Sequence, residues 1–135
     1  MTANTSPIFT LTPRVEWSTI STANTAYDGT GTVASNTIGA TFGTYVKKLI
    51  LKPLGTNVTT KLMIFINNGS ANSTAANNTM VYDITLPAST ASNSSMLPTM
   101  EIPLDLILPS GYKLLFTLGT AVSAGWQITT FSGDY

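Results

Sequence analysis

Apolar and polar residues alternate with a period of two in segment after segment of this chain. Over 112–118, Tyr112, Leu114, Phe116 and Leu118 fall on one side and Lys113 and Thr117 on the other. Over 100–108 the apolar set is Met100, Ile102, Leu104, Leu106 and Leu108, opposed by Glu101, Pro103 and Asp105. Tyr82, Ile84 and Leu86 oppose Val81, Asp83 and Thr85, and Trp126 and Ile128 oppose Gln127 and Thr129. Val15 and Trp17 oppose Arg14, Glu16 and Ser18. A period of two repeated over so many segments marks antiparallel strands with one buried face. It assigns the apolar member of each set to the core, both tryptophans included.

The predicted strands are "RVEWSTI" (14–20), "GTVASNTI" (31–38), "YVKKLILKPL" (45–54), "TTKLMIFIN" (59–67), "TMVYDITL" (79–86), "TMEIPLDLIL" (99–108), "YKLLFTLG" (112–119) and "GWQITTFS" (125–132). Gly, Pro, Asn and Ser separate them at fairly even spacing, and no window carries a helical stripe. The expected fold is all-β: a single antiparallel β-sandwich, a jelly roll of about eight strands. It occupies 14–135 and follows a polar N-terminal arm, 1–13, whose two prolines suit ordering by a partner. Pro53 and Pro87 close strands, and "PSG" at 109–111 is a turn in which Gly111 supplies a positive φ. Pro103 lies mid-run, so 99–108 should be an edge strand or bend there.

One segment departs from alternation. In "KLMIFI", Leu62, Ile64 and Ile66 alternate with Met63 and Phe65, so both faces are apolar. Either this is a central strand beneath a covering loop, or Met63 and Phe65 face a subunit partner, as interface cores favour Met and aromatics. After it comes "NNGSANSTAANNT" (67–79), with no charge and no aromatic. Asn and Ser side chains can bond nearby backbone and hold such a loop in shape. The expectation is an ordered loop lying on a neighbouring subunit or a shell, and likewise for "STASNSSMLP" (89–98). The interface candidates are Met63, Phe65, Asn67, Asn68, Ile107, Phe131 and Tyr135.

Composition narrows the possible partners. A chain of 135 residues is one domain, removing roughly 68% of its extended surface from water on folding. Only 9% of residues are charged, against about 25% in average soluble proteins. Six basic and six acidic residues sum to zero. Nucleic acid is not an expected partner, since duplex binding needs clustered cations. The one cluster, Lys47, Lys48 and Lys52, reads as a solvated strand face that also guards a sheet edge. No membrane is expected, because no apolar run approaches the ~20 residues of a span. The opening "MTANTSPIFT" lacks the apolar segment of a signal peptide, so synthesis in a cytoplasm is expected. Zero charge with a positive mean hydropathy favours self-association.

Catalytic chemistry is sparsely provisioned. The chain has neither His nor Cys, which removes the usual bases, nucleophiles and soft metal ligands. Glu101 and Asp105 share a strand face about 13 Å apart, beyond the ~6.5–9.5 Å of an inverting carboxylate pair. Glu16 and Asp83 are the other carboxylates considered. No enzyme activity, cofactor or metal site is expected; a calcium loop would need more acids than the lone Asp28 of "AYDGTGT" (26–32). A sugar-stacking platform built from Trp17, Trp126 and the tyrosines is the alternative use of the aromatics.

Over "KPLGTNVTTKLMIFINNGSANSTAANNTMVYDITLPAST" (52–90), "IPLDLILPSGYKLLFTLGTAVSAGWQITTFSGDY" (102–135) and the opening "SPIFTLTPRVEWSTI" (6–20), the chain resembles small structural proteins of tailed bacteriophages, of the capsid decoration (cement) type. The resemblance implies a β-sandwich or jelly roll, often trimeric, on the outer capsid surface of the virion. Its implied partners are its own copies and the major capsid protein, which it clamps after synthesis in the host bacterial cytoplasm. The alternative is a tail or fibre domain that binds host-surface glycan.

Overall fold

Eight strands form where the alternation places them. The computed structural model describes residues 9–135, with β1 (Thr12–Ile20), β2 (Ala34–Ile38), β3 (Thr44–Pro53), β4 (Thr60–Asn67), β5 (Asn78–Leu86), β6 (Met100–Leu108), β7 (Lys113–Leu118) and β8 (Trp126–Asp134). They make two antiparallel sheets in the orders β1-β8-β3-β6 and β2-β7-β4-β5. The chain passes from one sheet to the other at every connection except β4–β5, which is the jelly-roll arrangement. First and last strands pair along their full length, from Thr12 opposite Asp134 to Ile20 opposite Trp126. Of the expected arm, 1–8 lies outside the described residues, and Thr12 and Pro13 already belong to β1.

The core fills the space between the sheets. Val46, Leu49 and Leu51 of β3, Ile102 and Leu108 of β6, and Trp126 and Ile128 of β8 meet Leu62, Ile64, Leu114, Phe116 and Leu118 from the second sheet. Burying each such side chain is worth about 1.5–3 kcal/mol. Met100, Leu104 and Leu106 pack at its margin, on the face their alternation predicts.

A second cluster explains "KLMIFI". Met63, Phe65 and Leu115 are buried on the opposite face of β4 and β7, with Val33 against them. The connection 21–33 crosses this face: the Ala23 backbone bridges to Leu118, and the Tyr27 ring lies 5.5 Å from Lys61 Nζ. β4 is therefore a central strand under a covering loop, the first of the two readings. Leu115 and Thr117 are buried as well, so β7 is two-sided rather than alternating.

The face of β1 is the reverse of the expected one. Arg14, Glu16, Ser18 and Ile20 turn inward, while Val15 is 51% and Trp17 64% exposed. Because the side-chain period is two, an exchange of faces moves the whole set at once. The physical reason lies in the partners: β1 is an edge strand, and the inner side of that edge holds an acceptor set that satisfies Arg14. Trp126, by contrast, is in the core as expected. Tyr82 shares the face of Ile84, yet on edge strand β5 beside a bulge it remains 42% exposed.

Edge strands show their own devices. β6 is an edge, as Pro103 requires, and carries a bulge where Leu104 and Asp105 face Lys47 alone; Asp105 takes φ +49° there. The lysines of β3 do not guard an edge, since β3 runs between β8 and β6. They do occupy the outer face: Lys48 pairs with Glu101 at 3.3 Å, and Lys52 donates to Leu97 O and Thr99 Oγ1, both at 2.8 Å. Gly39 is fixed by space, because a Cβ there would lie 2.0 Å from the Pro109 carbonyl oxygen.

Candidate functional site: a groove and an apolar face along the first strand

The open side of the sandwich, where edge strands β1 and β2 approach each other, forms a shallow groove of about 660 Å³. Arg14, Val15, Glu16 and Trp17 line one side; Ser35, Asn36, Ile38 and Lys113 line the other. Arg14 organises its inner end. Nη1 donates to Asp134 Oδ1 at 2.9 Å and to the Ile38 carbonyl at 3.0 Å, while Nη2 pairs with Glu16. The Thr44 hydroxyl donates to the same Asp134 oxygen at 2.6 Å and accepts the Ala40 N–H at 2.9 Å. Burial opposes ionisation of Asp134, but the Thr44 and Arg14 hydrogen bonds outweigh it and hold the carboxyl below its ordinary range.

Asn36 ties the groove to the opposite sheet. It is the extra residue of a bulge in β2, between Ser35 opposite Leu115 and Thr37 opposite Leu114. Its Nδ2 donates to the Ile128 carbonyl at 3.0 Å and its Oδ1 accepts from Thr130 Oγ1 at 2.8 Å. The bulge aims this amide across the sandwich, where it bonds both groups of β8.

Beside the groove, the outer face of the first sheet is apolar along β1. Val15 stands opposite Phe131, and Pro13 opposite Gly133, which faces Tyr45 and then Ile107. Leu11, Val15, Trp17 and Ile107 are each about half exposed or more. Pro13, Val15, Tyr45 and Phe131 wall a second depression of about 240 Å³ on this face. Single exposed apolar residues are ordinary, but a contiguous set marks a contact surface.

The four sheet edges are poorly suited to strand addition. β1 points charges inward, β6 has a proline and a bulge, β2 is short and bulged, and β5 is bulged opposite the Ile64–Phe65 step. Each is a recognised means of preventing edge-to-edge pairing. Contacts of this molecule are thus directed to faces and loops.

The residues expected at an interface fall into two groups. Ile107, Phe131 and Tyr135 belong to the outer face of the first sheet or its margin: Ile107 is exposed, Phe131 half-buried beneath Lys48 Nζ at 5.6 Å, and Tyr135 donates its N–H to Gly43. Met63 and Phe65 are enclosed by the chain itself, on the second sheet. Asn67 is buried and structural, donating to Asn78 Oδ1 at 2.7 Å and accepting the Gly69 N–H at 2.8 Å; Asn68 is exposed and accepts the Ser70 N–H. Val15 and Trp17 were missed because alternation assigned them to the core. Ile20 was the available signal, an apolar residue in phase with Arg14, Glu16 and Ser18.

The neutral loop 67–79 is held by amide side chains, as its composition suggests. Asn77 Nδ2 donates to the Ala71 carbonyl and Asn78 Nδ2 to the Asn72 carbonyl, both at 2.9 Å. Two residues reach the connection 21–33: Asn72 Nδ2 donates to the carbonyls of Gly29 and Gly31, and Asn78 Nδ2 to that of Asp28. The loop therefore clasps the segment that covers Met63 and Phe65.

Apart from Glu16 and Asp134, which share Arg14, the carboxylates have separate partners. Glu16 pairs with Arg14, Asp83 with Lys61 at 2.7 Å, Glu101 with Lys48, and Asp105 accepts from the Tyr45 hydroxyl. Asp28 accepts the Thr30 hydroxyl at 2.6 Å and its N–H at 3.0 Å, which caps the turn and lowers its pKa. Among the described residues, no three His, Cys, Asp or Glu side chains group as metal ligands would. No protein-family model, curated protein or solved structure matches the chain.

Proposed function

We propose that this protein is a structural component of a tailed-phage virion, bound to the outer capsid surface, where it bridges neighbouring major capsid subunits as a homotrimer. It acts by binding and not by catalysis. The observation that supports this reading is the combination of an exposed apolar strip along β1, with Phe131 of β8 beside it, and four blunted sheet edges. Such a molecule docks by its faces and does not polymerise through its edges. Three copies joined in one trimer gain avidity of ~10²–10⁴ over a single contact, which suits clamping a shell. Quantitative mass spectrometry of purified particles tests the reading. A copy number near a simple ratio to the shell subunit supports it; absence from particles refutes it.

One observation favours the second reading, a tail or fibre domain that binds host-surface glycan. Trp17 is exposed beside a polar groove and not buried in the core. This reading predicts few copies per particle and direct binding of the isolated protein to host bacterial cells.

A further inference from the structure

We propose that Asn68–Gly69 is a spontaneous modification site: Asn68 converts through a cyclic imide to aspartate and isoaspartate, and the conversion releases the clasp over Met63 and Phe65. Asn–Gly occurs once in the chain. Glycine leaves its own backbone nitrogen unshielded, because it has no Cβ. Both residues are exposed where loop 67–79 begins, and Gly69 takes φ +93°. The chemistry needs only water. Gly69 N bonds Asn68 Cγ, its proton passes to Nδ2, the Cγ–Nδ2 bond breaks and ammonia leaves. Water then adds to one or other carbonyl of the ring and opens it to aspartate or isoaspartate.

The loop both favours and restrains this attack. Asn68 Oδ1 accepts the Ser70 N–H at 3.1 Å, so a donor already faces the oxygen on which negative charge develops as Cγ becomes tetrahedral. Against it, the Gly69 N–H is held by Asn67 Oδ1 at 2.8 Å, and the leaving amide donates to Asn77 Oδ1 at 3.2 Å. Reaction therefore follows local opening of the loop. The product cannot restore what opened. A carboxylate at 68 sets its own oxygen against Asn77 Oδ1, acceptor against acceptor. Turning the Asn77 amide over to repair this gives up its bond to the Ala71 carbonyl. Isoaspartate also lengthens the backbone just ahead of Asn72, whose amide holds the Gly29 and Gly31 carbonyls of the connection 21–33. Asp28–Gly29, across the clasp, is the chain's one Asp–Gly step. It is more firmly held, with its carboxylate bonded to Thr30 and its carbonyl to Asn78 Nδ2, and a carboxylate is a weaker electrophile than an amide.

The test incubates the full chain at physiological temperature and mildly alkaline pH. Peptide mass spectrometry follows the mass gain of an amide becoming an acid, and protein isoaspartyl methyltransferase reports isoaspartate. The expected result is conversion at Asn68 within days in the folded protein, and none in Asn68→Gln, whose extra methylene disfavours ring closure. Asn77→Ala removes the bonds to the Asn68 amide and the Ala71 carbonyl, and should speed conversion about fivefold or more, the scale on which such bonds shift local opening. Aged protein and Asn68→Asp should both show faster amide exchange over 26–33 than fresh wild type, with β3 and β8 unchanged. Conversion in urea but not in the folded chain overturns the site. An Asn77→Ala rate equal to that of wild type overturns control by the loop. Conversion that leaves exchange over 26–33 unchanged overturns release of the clasp.

Discussion

Val15 and Phe131 stand directly opposite each other in the β1–β8 ladder, on the outside of the sandwich. The same ladder turns Arg14 and Ser132 inward. Arg14, Glu16 and Ser18 are thus enclosed and Val15 and Trp17 displayed, and this inversion gives the outer face of the first sheet an apolar margin along β1.

The two tryptophans should therefore differ sharply in their effect on stability. Trp17→Ala is expected to change the unfolding free energy by about 1 kcal/mol or less, as for a surface position. Trp126→Ala should cost about 3–5 kcal/mol, as for a core aromatic. Urea denaturation of the two variants measures the contrast. Equal, large losses would return Trp17 to the core.

How far could the sequence show this? Strand positions were legible throughout, because alternation and turn residues agree locally: Gly111 has the positive φ its turn needs, and Pro103 lies on an edge strand. The face of β1 was not legible. Alternation divides residues into two sets, but only the tertiary partners decide which set is enclosed. Asp134 and Thr44, which satisfy Arg14, lie far away in the chain. The placement of the lysines failed for a related reason, since whether β3 is central depends on the pairing order. The jacket over Met63 and Phe65 was legible as a choice between a loop and a partner, and it took the fold to identify the connection 21–33 as the loop.

Asp134→Asn should destabilise the protein by about 1.5–3 kcal/mol at neutral pH, the range for a hydrogen bond to a charged group. The folded carboxyl titrates below its unfolded value of about 3.9. Its contribution is thus present above the unfolded pKa and lost as pH falls through the lower folded pKa. The stability gap between wild type and Asp134→Asn should be constant from pH 7 to about pH 5 and should close below about pH 4. Denaturant titrations across that range measure it.

Phe65→Ala should cost the isolated chain about 3–5 kcal/mol, because Phe65 is 1% exposed within the chain itself. A stable variant with weakened self-association would instead mean that a partner, and not the connection 21–33, encloses this ring. Chemical denaturation read alongside sedimentation separates the two.

Removing the loop clasp should act locally. Asn72→Ala takes away both bonds to the Gly29 and Gly31 carbonyls, and those carbonyls can turn to water. Global stability is expected to fall by about 1 kcal/mol or less per bond. Amide exchange over 26–33 and 68–74 should accelerate well beyond that of β3 or β8. Hydrogen-exchange mass spectrometry resolves these segments. Uniform acceleration across the domain would contradict a local clasp.

If the molecule docks through the outer face of β1, as proposed, Trp17 is the side chain that reports it. The most direct measurement is the fluorine resonance of 5-fluorotryptophan at position 17, free and then bound to purified capsid particles, with a soluble quencher or solvent-isotope shift reporting exposure. Trp17 is expected to be solvent-accessible in the free protein and shielded on binding, while Trp126 is inaccessible in both states. A Trp17 that is shielded in the free monomer, or that stays accessible on fully bound particles, would contradict it.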